Sequence, residues 1–143
     1  MAIDSDSLTE VLQLAQTCED LSRAALGVAQ NLLRAKLIAQ DVFDQVFGDY
    51  GVAMQKARDL YYQASHTLAQ QIAQSRDVKT LIARTQSLNQ SLARLQKTEH
   101  VLTISFGVVA LVAAITTAVI TPGSATLEGA FTAARTLEGA IVS

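Results

Sequence analysis

The chain has 143 residues, half of them hydrophobic and 17% charged, with a formal net charge of −2. This length corresponds to one domain of ordinary size, and the apolar content excludes a disordered or fibrous protein. There is neither a run of basic residues nor a cluster of Arg and Lys with aromatic side chains, so we expect no nucleic-acid partner. The opening residues MAIDSDSLTE are acidic and polar, whereas a secretory signal needs a basic start and an apolar run, so we expect the chain to stay in the cytosol.

The first element predicted in chain order is a long amphipathic helix. Ser7 and Glu10 have the spacing of a capping box, which predicts a helix start near Ser7. Two rows of apolar residues at sevenfold spacing then continue to about Phe47, as the buried face of a helix requires. Gly48 and Gly51 follow, and glycine tolerates the backbone angles of a tight turn. We therefore predict an antiparallel helical hairpin that turns at these glycines. The two rows are Val11, Cys18, Ala25, Leu32 and Ala39, and Leu14, Leu21, Val28, Ala35 and Val42.

A second long helix is predicted after the turn, because residues 52–106 contain neither glycine nor proline. In the favoured interpretation it is one rod from Val52 to about Thr121, with a row of leucines that the shorter first helix cannot cover. We therefore predict self-association into a homo-oligomer through this row. In the alternative interpretation the rod breaks at Ser75-Arg76-Asp77 and a new helix starts at Val78. The leucine row consists of Leu81, Leu88, Leu92 and Leu95.

The segment from Val101 to Ile120 carries the strongest functional signal. Between Glu99 and Glu128 the sequence has no Asp, Glu, Lys or Arg. A helix of this length matches the ~30 Å hydrocarbon thickness of a bilayer. Small residues recur along the segment, and such a face lets helices approach closely inside lipid. We therefore predict a membrane-type helix that packs against another helix. The small residues are Gly107, Ala110, Ala114 and Ala118.

The end of the chain is predicted to be a second helix that folds back on the apolar one. Pro122-Gly123 stops the apolar helix, and Ser124 can cap an amphipathic helix over 125–142. The predicted fold class is thus all-α. A long, coiled-coil-like antiparallel hairpin fills residues 1–100, and the apolar helix with its amphipathic return helix fills 101–143. A chain that ends at Glu99 is accordingly expected to stay soluble and helical.

Two interpretations of the apolar helix remain open. As a transmembrane or inserting helix it would leave the N-terminal body on the cytoplasmic side, because more Arg and Lys precede it than follow it. Lipid would then be the partner, and close packing of several copies would form a pore. As the buried helix of a soluble cytoplasmic bundle it would have the same periodicity, and the chain would be a protein interaction module whose partner is unknown. An amphipathic body with one apolar hairpin resembles, in outline, small membrane-active helical proteins, including α-helical pore formers.

The sequence lacks the residue patterns of catalysis and of metal binding, so we expect neither an enzyme nor a cofactor. His66 and His100 have no second His or Cys at the spacing of a helical zinc site. The lone Cys18 lies on an apolar row and is predicted to be a buried structural thiol. Glu99 and His100 precede the apolar helix. A solvent-exposed polar pair is the simpler interpretation, and a pH-sensitive latch is the alternative, since histidine titrates near neutrality.

Overall fold

The computed structural model describes residues 5–66, 75–94, 100–120 and 124–142, and it describes side chains over 11–62, 79–94, 100–119 and 125–142. Within these ranges the chain forms five helices and no strand, which confirms the predicted all-α class. The apolar segment is a helix with the predicted bounds, and the amphipathic return helix follows it. The helices are α1 (Ser5–Arg34), α2 (Gln40–His66), α3 (Ser75–Ala93), α4 (Val101–Ile120) and α5 (Ser124–Val142).

The first two helices form the predicted hairpin, but the chain reverses at a different place. The connection covers residues 35–39, and both Gly48 and Gly51 lie inside α2. The predicted turn at these glycines is therefore wrong, because glycine permits a turn but does not require one.

A Lys residue instead supplies the left-handed backbone that ends α1. Lys36 has a φ of 62°. It occupies the position at which helices that end in a left-handed residue usually carry glycine. The amide of Leu37 donates to the carbonyl of Leu32 and the amide of Lys36 to that of Leu33, both at 2.9 Å. This pair of bonds is a Schellman motif, and it satisfies two carbonyls at the end of the helix.

The predicted rod from Val52 to Thr121 is also wrong. Helix α4 lies beside α2 rather than in line with it, and the two helices pack along their lengths. The hydroxyl of Ser105 donates to Asp49 Oδ2 at 2.8 Å, and that of Thr116 to the Lys56 carbonyl at 3.5 Å. The residue numbers of both helices increase from the first contact to the second, so α2 and α4 run parallel.

As the alternative interpretation expected, α3 is a separate helix, but it begins at Ser75, so the residues predicted to form the break are helical. Asp77 lies in the first turn of α3, so it does not occupy the capping position before Val78 that the sequence suggested. Helix α3 packs against α1 and α5. It therefore lies within the bundle and not beyond the first hairpin.

The five helices form a bundle in which α4 has three neighbours. Helix α1 packs against α2, α3 and α4, while α4 also contacts α2 and α5. The Tyr61 hydroxyl of α2 donates to Gln16 Oε1 of α1 at 2.8 Å, as expected for antiparallel helices joined by a short connection. Gly107 of α4 faces Leu137 of α5. With α3 and α5 in contact as well, the helices enclose one common core.

The main hydrophobic cluster takes side chains from all five helices, so it crosses residue 100, where we predicted a domain boundary. Each fully buried Leu, Ile or Val side chain in it stabilises the fold by about 1.5–3 kcal/mol. Buried hydroxyls are satisfied locally: Ser22 donates to the Cys18 carbonyl at 2.9 Å and Thr85 to that of Leu81 at 2.7 Å. The largest fully buried side chains are Leu14, Leu21, Leu60, Leu81, Leu92, Leu111, Ile115 and Leu137.

Cys18 is buried in this cluster, as predicted, and we expect its thiol to be inert while the chain is folded. Burial, with a smaller contribution from the charge of Glu19, raises its pKa from 9.0 to about 12. Ellman's reagent should therefore react with native protein only after guanidinium is added. Because the unfolded thiol ionises at lower pH than the folded one, stability should fall as pH rises from about 9 towards 12. Stoichiometric labelling without denaturant would show that Cys18 is accessible.

Candidate functional site

About half of the apolar helix α4 is buried, and five of its side chains are exposed. The stretch Val101–Val119 has a mean hydropathy of 2.2, and 50% of its most apolar window is buried. A helix of this length and composition is sufficient to cross a membrane, and a core helix of a soluble protein meets the same criteria. Helices α1, α2 and α5 cover its buried side. The buried side chains are Val101, Ile104, Val108, Leu111, Val112, Ile115, Ala118 and Val119.

The other side of α4 is an exposed surface without charge. Phe106 is 69% exposed and Leu102 36% exposed, and Thr103, Ala110 and Thr117 are exposed as well. Spacings of three and four residues place these five side chains on one face of the helix. We call them the α4 stripe. A single exposed Phe on a protein surface is ordinary, but an uncharged face along a whole helix is not.

Helix α5 packs beside α4 and presents a mixed surface. Its exposed residues include Gly129 and Thr136, and also the charged residues Glu128 and Arg135. Glu138 of the same helix approaches Arg84 of α3, with 3.8 Å between Oε2 and Nη1. The ion pair therefore lies on the side of α5 that faces α3, away from the α4 stripe.

The row of small residues predicted on α4 does not form one free surface. A β-carbon placed on Gly107 would lie 3.2 Å from Leu137 Cδ1, so this glycine is where α5 approaches closely. Ala110 is exposed, Ala114 is half-buried and Ala118 is buried. Each step of four residues rotates the position by about 40°, so the row passes from the exposed side into the core. Gly107 and Ala118 are thus used for packing within the chain.

The leucine row on α3 is buried within one chain, contrary to our expectation that it would be uncovered. Leu81, Leu88 and Leu92 all belong to the main cluster. The physical reason is the position of α3, which lies between α1 and α5 instead of extending past them. Leu95 lies outside the described residues. Self-association therefore remains a prediction, without this row to support it.

The polar pair before α4 is described only at His100, because Glu99 lies outside the described residues. The His100 side chain is exposed, and its backbone has a left-handed φ of 67°. Its carbonyl accepts a hydrogen bond from the Ile104 amide at 2.7 Å, the first bond of the helix. This position fits the simpler interpretation, a polar residue in solvent at a helix start. The pH-sensitive latch remains a prediction.

Hydroxyl groups on α4 reveal a polar contact that the sequence did not suggest. Thr117 donates within α4, to the Ala113 carbonyl at 3.0 Å. Thr116 donates to the Val112 carbonyl of α4 at 2.8 Å and also approaches the Lys56 carbonyl of α2, at 3.5 Å. Ser105 is different, because its acceptor is the Asp49 carboxylate of α2. We had assigned Asp49 to a turn, and for that reason did not place it in a helix interface.

The described side chains form no cluster suited to metal binding. Nowhere in the part of the chain that the structure describes do three or more His, Cys, Asp or Glu residues come close enough to hold a metal ion. The feature that requires a functional explanation is therefore the α4 stripe. In comparisons with known proteins, no protein family, no curated protein and no solved structure matches this chain.

Proposed function

We propose that this chain is a non-enzymatic, membrane-associating helical protein whose N-terminal body stays in the cytosol and whose helix α4 contacts lipid. The observation that supports the proposal is the α4 stripe, an uncharged exposed face on a helix with a mean hydropathy of 2.2. Apolar surface gains about 25 cal/mol for each Å² removed from water. Phe106 and Leu102, which are exposed in the bundle, gain this energy when they enter lipid.

Charge placement on α4 is also compatible with lipid contact. A charged side chain at the middle of a bilayer costs about 2.5–3.5 kcal/mol or more. The stripe has no such residue, and α4 as a whole contains no Asp, Glu, Lys or Arg. The same helix is long enough to span, so deeper insertion would require α4 to separate from α1 and α2.

Pore formation is a more specific form of this proposal. It would need several α4 helices to pack together, because one helix cannot enclose a channel. Water would then meet the hydroxyls of Thr103, Ser105, Thr116 and Thr117, the only polar side chains on the helix. We treat a homo-oligomer in the membrane as part of this finer proposal.

A second candidate function is a soluble helical-bundle interaction module. It is favoured by the buried side of α4, which contributes Leu111, Val112 and Ile115 to the same cluster as α1 and α5. Here α4 would be a permanent core helix, and the stripe would bind a protein. Behaviour with lipid vesicles distinguishes the two functions.

We expect the wild-type chain to float with liposomes in a density gradient and Phe106→Asp to lose most of this binding. Placing a carboxylate in lipid costs about 2.5–3.5 kcal/mol, which corresponds to about a hundredfold weaker partitioning. Gln13→Asp is the matched control, since it adds the same charge at an exposed position of α1 far from the α4 stripe and should float normally. Extraction with alkaline carbonate then separates inserted from surface-bound protein.

Two results would contradict the proposal. Wild-type protein that stays at the bottom of the gradient as a monodisperse species would favour the soluble module. Equal loss of binding in both Asp variants would show that charge in general, and not the α4 stripe, controls the interaction.

A further inference from the structure

Large exposed hydrophobic side chains gather at one end of the bundle. This end contains the α1–α2 connection (residues 35–39), the start of α4 and the end of α5, and we call it the loop end. An open groove of about 470 Å³ joins the α1–α2 connection to the start of α4, and both Leu37 and Leu102 line it. The apolar surface of the connection is therefore continuous with the first turn of the α4 stripe.

The end of α5 reaches the same region. Gly107 of α4 faces Leu137 of α5, and the two helices are antiparallel, so Val142 lies near the level of Leu102. Val142 also shares a small cavity with Ser91, near the end of α3. Three elements that are distant in sequence thus bring apolar side chains to the loop end.

Several large hydrophobic side chains are exposed at the loop end. At the loop end, Leu37 is 58% exposed, Phe106 69% and Val142 72%. Phe47, 55% exposed, belongs here too, because it lies two residues before Asp49, the partner of Ser105. Of the other exposed large hydrophobic residues among the described side chains, Val52 lies near the middle of α2 and Tyr62, which carries a polar hydroxyl, lies towards its end.

Charges at the loop end suit the headgroup region of a membrane. Arg34, Lys36 and Arg94 are exposed around the apolar side chains, and each can extend its charge towards lipid phosphates. The nearby carboxylates, Asp41 and Asp44, accept hydrogen bonds from α2 itself, from the Val42 amide and the Gln40 amide group, both at 2.9 Å. Two more carboxylates lie at the level of Phe106, and each has a partner within the bundle: Asp49 accepts from Ser105 at 2.8 Å, and Glu138 lies 3.8 Å from Arg84 Nη1. His100 and Tyr50 are also titratable groups at this end.

We infer that the bundle docks end-on, with the loop end inserted into the interface of a phospholipid bilayer and the opposite end in the cytosol. This inference rests on the proposed function and adds the orientation. Interfacial segments bury their apolar side chains about 5–10 Å deep. Leu102 and Phe106 are about 6 Å apart along the helix axis, so both fit within that depth, whereas Thr117 lies a further ~16 Å away. Only the first part of the α4 stripe enters lipid in this orientation.

The absence of Trp from the sequence allows a direct test with single-tryptophan variants. Leu37→Trp, Phe106→Trp and Val142→Trp report on the loop end. Thr117→Trp reports on the far part of the stripe, and Tyr62→Trp on the opposite end. All five positions are exposed, so the substitutions should leave the core intact, which far-UV circular dichroism checks. The vesicles contain phosphatidylcholine and phosphatidylglycerol, with and without brominated acyl chains.

End-on docking predicts a blue shift and strong bromine quenching for the three loop-end variants, and little change for Thr117→Trp and Tyr62→Trp. Quenching of Thr117→Trp equal to that of Phe106→Trp would mean that α4 lies flat or spans, which overturns end-on docking and leaves membrane association intact. Quenching of Tyr62→Trp alone would reverse the orientation and overturn the inference. If none of the variants floats with vesicles, the proposed function fails as well.

Discussion

Leu88→Asp should unfold the chain rather than dissociate an oligomer. Leu88 is buried in the main cluster, where α3 packs against α1 and α5. A buried carboxylate without a partner costs several kcal/mol, against a total stability of about 5–15 kcal/mol for a typical domain. We expect the cooperative thermal transition to shift far down or disappear, as measured by far-UV circular dichroism.

Gln90→Asp is the matched control for this variant, because it introduces the same side chain two residues away at an exposed position. It should change the free energy of unfolding by less than about 0.5 kcal/mol. Sedimentation equilibrium gives the opposing outcome. A Leu88→Asp variant with unchanged thermal stability and a smaller sedimenting mass would place the leucine row between chains, as the sequence first suggested.

Removal of α4 and α5 should destroy the cooperative fold of the rest of the chain. From the sequence we expected a chain that ends at Glu99 to stay soluble and helical, but the structure leads to the opposite expectation. Helix α4 supplies Ile104, Val108 and Ile115 to the main cluster, together with Leu111 and Val112. At about 1.5–3 kcal/mol each, their combined contribution is comparable with the whole stability of a domain.

The shortened chain is therefore expected to bind an apolar dye, to aggregate and to unfold without a sharp transition. Urea titrations of the full and shortened chains, followed by circular dichroism, measure the difference. A monomeric shortened chain with a sharp transition would show that residues 1–99 fold alone. The predicted domain division at residue 100 would then be correct, and the contacts of α4 would contribute little.

Composition predicted α4 and α5 well because both helices have unambiguous limits. The stretch without charged residues after Glu99 and the stop at Pro122-Gly123 define α4 closely. The first turn was missed because Lys36, not glycine, takes the left-handed backbone angles. Lateral packing of α3 was also missed, since a sevenfold row shows which face of a helix is buried but not which helix covers it.

Sequence reasoning selected α4 as the candidate functional helix but did not select the exposed face on which our proposal rests. A segment that is apolar on all sides has no periodic signal to mark its exposed side, so Leu102 and Phe106 could not be selected. Leu37 was missed for a similar reason, because the predicted helix ran through the actual connection. Of the small residues predicted to form a packing face, Gly107 does lie where another helix, α5, approaches closely.

The hydroxyl groups of α4 determine how much hydrogen bonding this helix loses if it leaves the bundle for hydrocarbon. The bonds from Thr116 to Val112 and from Thr117 to Ala113 move with the helix into any environment, so Thr116 keeps its shorter bond when its 3.5 Å contact with the Lys56 carbonyl of α2 is lost. The bond from Ser105 to Asp49 of α2 breaks when the two helices separate, and an unpaired hydroxyl in an apolar medium costs roughly 2–7 kcal/mol. The free-energy cost of lost hydrogen bonds on release of α4 is therefore greatest near its start. The hydroxyls in its second half keep their bonds within the helix, in lipid as well as in a protein core.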